Sequence, residues 1–129
     1  MTEISPADAR KLAREYYLLA VTLGKRRFKD WDKLSPAERQ EIESREWTLL
    51  TFSSDMTSRA MIAVAGDIER SVEGIAAATE TLRKAIERAD DARSMIRDAT
   101  RAISLAGAIF SGNAAAIAGA LAAIVPNKV

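Results

Sequence analysis

IERSVEGIAAATETLRKAIERADDARSMIRDATRAISLAGAIF, residues 68–110, is the stretch on which the fold turns. Ile68, Val72, Ile75, Thr79, Leu82, Ile86, Ala89, Arg93, Ile96, Thr100, Ile103, Gly107 and Phe110 follow one another at alternating spacings of four and three. That is the heptad pattern of a helix with one apolar seam. Met61 and Ala65 carry it upstream, and Gly66 and Gly74 are tolerable interruptions. The spacing predicts one very long helix over 56–110, about 80 Å at ~1.5 Å per residue. Such a rod needs partners along its length. Ile68, Val72, Ile75, Leu82, Ile86, Ile96 and Ile103 are the candidate association seam.

A second stripe runs beside the first. Ala78, Ala85, Ala92, Ala99 and Ala106 recur every seven residues. A column of methyl groups lets another helix backbone come close, so it is a candidate close-packing face. The opposite face carries Glu69, Arg70, Glu73, Glu80, Arg83, Lys84, Glu87, Arg88, Asp90 and Asp91. Mixed charge at that spacing is a solvated surface, with Glu80 and Lys84 a favourable i, i+4 pair.

Upstream, two helix starts are explicit. In SPAD, Ser5 is an N-cap, Pro6 the first helical residue and Asp8 an acid at the positive helix end. SPAE repeats the device with Ser35, Pro36 and Glu38. These predict helices over 6–32 and 36–52. Leu12, Tyr16, Leu19 and Leu23 form one apolar stripe of the first helix; Tyr17, Val21, Phe28 and Trp31 continue a neighbouring face. An apolar girdle at 16–21 predicts burial on more than one side, hence a bundle or an oligomer. The second helix brings Ile42, Trp47, Leu49, Leu50 and Phe52. TFSSDMTS, residues 51–58, is rich in hydroxyl side chains that compete for backbone hydrogen bonds. A kink or break is expected there, with a continuous helix the alternative.

Downstream, residues 102–125 carry no charge. Within them, Ser111-Gly112-Asn113 reads as a left-handed helix end followed by a cap. It divides the run into an apolar helical hairpin whose second arm spans 114–125, built on Ile109, Phe110, Gly112, Asn113, Ile117, Gly119, Leu121 and Ile124. Neither uncharged arm reaches the roughly 20 apolar residues needed to span a bilayer. Were Gly112 helical, the whole run would suffice. Gly107, Ser111, Ala115, Gly119 and Ala123 would then form a small-xxx-small face. Ten Ala and three Gly against eight Ile, Leu, Val or Phe weigh toward packing on protein.

The chain has no His and no Cys. That removes the usual general base, the Ser–His and Cys–His nucleophiles, the common zinc sites and disulfides. No Gly-rich phosphate loop occurs, and no cofactor, metal or small-molecule substrate is expected. Net charge is +1, with eight Lys and Arg against five Asp and Glu over residues 1–34. One cluster stands out: GKRRFKDW, residues 24–31. Lys25, Arg26, Arg27, Phe28, Lys29 and Trp31 are candidates for contact with an anionic surface. The plainer alternative is cations at a negative helix end with aromatics turned inward. Nucleic acid is not an expected partner for so small a patch.

The expected protein is therefore all-α: a single domain, an elongated antiparallel helical bundle or coiled coil. It is non-enzymatic and acts through homo-oligomerisation or packing on a helical partner. The alternative is membrane action, as a small pore-former, holin-like protein or docking subunit inserting 102–125. The outline, a long bundle with an apolar hairpin, is similar to that of α-helical pore-forming toxins in shape alone. The start, charged from Glu3 and without an apolar h-region, points to the cytoplasm, or to membrane association under the alternative.

Overall fold

The computed structural model describes residues 5–58 and 68–124, the side chains of 68–71 and 114 excepted. Within them the chain is all-helical: α1 (Pro6–Lys29), a 3₁₀ turn (Trp31–Lys33), α2 (Pro36–Ser58), α3 (Ile68–Arg88), α4 (Ala92–Ser111) and α5 (Ala114–Ile124). Both proline-marked starts form as read. Ser5 Oγ accepts from Asp8 N–H at 3.1 Å. At α2, Ser35 Oγ accepts from Glu38 N–H while the Glu38 carboxylate accepts from Ser35 N–H at 2.8 Å, a reciprocal capping box.

The single helix over 56–110 does not form. The chain leaves the helix after Arg88, turns through Ala89–Asp91 and starts again at Ala92. Two devices make the break. Asp91 takes an extended conformation and its carboxylate accepts from Ser94 N–H at 2.8 Å, capping α4. At the other side of the turn, Arg26 of α1 donates to the carbonyls of Ile86, Glu87 and Ala89 at 2.8, 3.1 and 2.8 Å. A helix end leaves carbonyls without partners, and this guanidinium supplies them. Asp30 holds the same guanidinium through a 2.7 Å contact. In α3 the heptad positions Val72, Ile75, Thr79, Leu82 and Ile86 face inward. Past the turn the buried line shifts by one residue to Ala92, Met95, Ala99, Ala102, Ala106 and Ile109, leaving Arg93, Thr100 and Gly107 exposed.

The expected break at 51–58 is absent; α2 runs through it. Its hydroxyls bond within the helix rather than against it. Thr51, Thr57 and Ser58 donate to carbonyls three or four residues back. Ser53 donates to the Ala13 carbonyl of α1 at 2.7 Å. The expected Met61 and Ala65 positions lie outside the described residues.

Helix α1 packs on α2 and α3, and α4 packs on the same two helices; α5 lies on α4 and α3. Ser53–Ala13 and Glu46–Arg27 make α1 and α2 antiparallel. Thr79–Glu15 and Ile86–Arg26 make α1 and α3 parallel. Arg45–Thr100 and the stacked Phe52 and Phe110 rings make α2 and α4 parallel. Two antiparallel pairs thus lie face to face. Between them Leu12, Tyr16, Leu19, Leu23, Ile42, Leu49, Met56, Ile75, Ile86, Met95, Leu105 and Ile109 are fully buried. Tyr16 crosses the diagonal and donates to the Ala102 carbonyl of α4 at 2.7 Å. Burial pushes its phenol well above the ordinary range.

Gly112 takes φ 68°, the left-handed cap, and Asn113 Oδ1 accepts from Ala116 N–H at 3.0 Å. The uncharged run is thereby divided in two. Among the described residues no helix is long and apolar enough to cross a membrane.

The Asp91 cap titrates. Backbone bonding from Ser94 holds its carboxyl below the usual 3.8. A folded value below the unfolded one adds stability that is complete above the unfolded value and is lost as pH falls through the folded one. Asn caps comparably but carries no such charge. Asp91→Asn should therefore lose less thermal stability than wild type as pH falls from about 5 to the acid limit. Calorimetry across that window checks it.

Candidate interaction surface

The expected association seam is used within the chain. Val72, Ile75, Leu82 and Ile86 are buried, and Ile96 and Ile103 are half-buried against the core. The side chain of Ile68 lies outside the described residues. The Ala column is likewise internal: Ala78, Ala92, Ala99 and Ala106 are buried and Ala85 is half-buried. In the hairpin, Ile109, Ile117 and Ile124 are buried, and Phe110 and Leu121 pack at the edge of the core. Gly107 and Gly119 face open space, so the small-residue face of an uninterrupted helix is not assembled.

The basic cluster 25–31 splits into two groups. Arg26 is occupied at the end of α3. Arg27 forms a two-pronged pair with Glu46 of α2, at 2.5 and 3.1 Å. The Glu46 hydrogen bond, ahead of the opposing effect of burial, raises the Arg27 guanidinium further above its usual range. Gly24 makes room for this bridge, since a Cβ there would stand 3.0 Å from Glu46 Oε1. Lys25, Phe28, Lys29 and Trp31 are exposed. For Arg26 and Arg27, an anionic surface contact is thus replaced by internal ones.

What is left open is aromatic. Tyr17 is 52% exposed, Phe28 68%, Trp31 41% and Trp47 65%. Tyr17, Phe28 and Trp31 belong to the face expected to be buried, and Trp47 to the apolar side of α2; all four turn outward instead. The inward line of α1 is already filled by Leu12, Tyr16, Leu19 and Leu23, and that of α2 by Ile42, Leu49 and Met56. Helical rotation of ~100° per residue then carries the four aromatics out of the core. Phe28 and Trp31 stack with centroids 6.0 Å apart. The Arg27 guanidinium lies 4.7 Å from the Phe28 ring centre, and that of Arg39 4.4 Å from that of Trp31. Arg39 also donates to the Trp31 carbonyl at 3.0 Å. Four planar groups thus form a fixed ladder at the α1–α2 corner, stiffened before any partner arrives.

A cleft of about 200 Å³ beside this corner is lined by Asp30, Lys33, Leu34, Glu38, Asp90, Asp91, Ala92 and Met95. Three of its four carboxylates serve the fold: Asp30 binds Arg26, Glu38 caps α2 and Asp91 caps α4. Among the described residues no group of three or more acidic side chains could hold a metal ion. No protein-family model, curated protein or solved structure matches the chain.

The split of the basic cluster is measurable. Arg26→Met should lower unfolding free energy by roughly 2–3 kcal/mol, the scale of lost charged hydrogen bonds. Lys25→Ala and Lys29→Ala should each stay within about 0.5 kcal/mol of wild type. Urea denaturation followed by circular dichroism checks both.

Proposed function

We propose that this protein is a non-enzymatic helical interaction protein whose contact surface is the outer side of the α1–α2 hairpin. One observation carries the reading. Among the described residues, every exposed large hydrophobic side chain lies on α1, α2 or the turn joining them, and none on α3, α4 or α5. Four large aromatic faces left in water on one pair of helices are costly without an occupant. Trp, Tyr and Arg are also the residues that dominate protein–protein hot spots. The seam and the Ala column do not supply this surface, because the chain closes them on itself.

Membrane action has less support. A spanning segment over 102–125 needs one continuous helix, and Gly112 in its left-handed conformation interrupts it. Helix α5 turns only Ala and Gly outward at its exposed positions, which gives it no large anchor.

Phe28→Ser combined with Trp47→Ser should leave unfolding free energy within about 1 kcal/mol of wild type, since both side chains are mostly in water. The same substitutions should abolish binding. Immobilised wild-type and doubly substituted protein, exposed to native extract and read by mass spectrometry, test this. A partner set identical on both, with self-association also unchanged, would remove the reading.

A further inference from the structure

We propose that the occupant of the aromatic surface is a second copy of this chain, bound face to face about a two-fold axis perpendicular to the α1–α2 helices. The inference rests on the interaction reading above and names the partner. It comes from how residues are distributed along the two helices. On α1, Arg10, Arg14, Tyr17, Val21, Gly24 and Phe28 stand at spacings of four and three and share one flank. On α2, Glu43, Trp47, Leu50 and Ser54 do the same. Gly24 against Glu46 and Ala13 against Ser53 set the two rows side by side. Helix α3 meets α1 at Glu15 and Arg26, and α4 meets α2 at Arg45 and Phe52. The two rows lie on the side turned away from both.

Charge along this surface is ordered. One end holds Arg10 and Arg14, both exposed, opposite the uncharged Ser54. The other end holds Phe28, with the Glu46-paired Arg27 guanidinium on its ring, and the exposed Glu43, with Lys25 and the half-buried Arg39 at its margin. Tyr17, Val21, Trp47 and Leu50 lie between. A two-fold axis through that middle brings Arg14 of one protomer to Phe28 and Glu43 of its partner, twice over. A carboxylate and an aromatic ring both suit a guanidinium. A self-complementary patch of this kind is what an isologous dimer requires.

The alternatives fit less well. A polyanion or anionic lipid surface calls for a dense run of free cations beside the aromatics. Arg26 and Arg27 are consumed by Asp30 and Glu46, and the exposed cations that remain along the two rows, Lys25 and Lys29 near Phe28 and Arg10 and Arg14 at the far end, stand apart. Size also agrees with a dimer. Two helices of ~35 Å lying side by side over ~20 Å offer about 700 Å² per protomer, near the standard interface.

Sedimentation velocity across a concentration series tests the proposal, with circular dichroism confirming the fold of each variant. Wild type should reach twice its 14.0 kDa mass. Trp47→Ser should weaken the dimer at least ~tenfold. Arg14→Glu alone and Glu43→Arg alone should each weaken it, and the two together should restore it. A wild type that stays monomeric at millimolar concentration overturns the dimer. So does a dimer indifferent to Trp47→Ser, or a pair of charge reversals with no mutual rescue. If the monomer instead loses a captured protein, or binding to anionic vesicles, on Trp47→Ser, the dimer is overturned. The captured protein would leave the interaction reading standing; vesicle binding would replace it with a lipid surface. Variants that change neither mass nor capture overturn both.

Discussion

An α-helix cannot stop inside a protein without finding donors for its last carbonyls. Here the donors come from Arg26, contributed by a helix 60 residues upstream of the first acceptor. That contact fixes three things together. It ends α3, it sets α1 parallel to α3, and it frees α4 to run back along the bundle. Asp30 anchors the guanidinium from its own helix, so the fork arrives at a defined height. Its carboxyl is held below the usual range, foremost by that hydrogen bond. Without the turn, the heptad seam would be a rod with an open side; with it, the α3 part of the seam closes on residues of the same chain and α4 turns a neighbouring line inward.

Once the seam is closed, packing follows from simple geometry. Each of the four long helices turns a mainly apolar line inward, broken only by the buried Thr22, Thr79 and Asp98 among the described residues, and Ala at 78, 99 and 106 keeps the backbones close. The two antiparallel pairs meet across this centre, with the Tyr16 hydroxyl satisfied by a carbonyl of the diagonal helix. Polar groups inside the bundle are handled in the same manner: Ser53 finds the Ala13 carbonyl. The core leaves no inward position for Tyr17, Phe28 or Trp47, and their exposure is the residue of that arithmetic.

Local signals were legible and distant ones were not. Pro6, Pro36, Ser5 and Ser35 mark helix starts through bonds that span three residues, and Gly112-Asn113 marks the last turn in the same way. The break at Ala89–Asp91 has neither Gly nor Pro. Asp91, which caps α4, reads in the sequence as one more charge on the solvated face of a continuous heptad helix. The other half of the break, Arg26, is a tertiary contact that no local spacing reveals. The hydroxyl-rich part of α2 erred in the opposite direction, because a hydroxyl that bonds a carbonyl one turn back can remain in a helix. The surface was hidden for a related reason: periodicity lists apolar faces, and only the filled core shows which face is surplus.

The acceptor of Tyr16 lies 86 positions further along the chain. During synthesis α1 and α2 can pair as soon as they emerge, but their greasy side stays open until the Ala102 region has followed. Parallel pairing of α1 with α3, and of α2 with α4, stretches this delay over most of translation. Contact of high sequence separation slows folding and lengthens exposure to wrong partners. The nascent hairpin is thus the stage at which this protein is most vulnerable to aggregation.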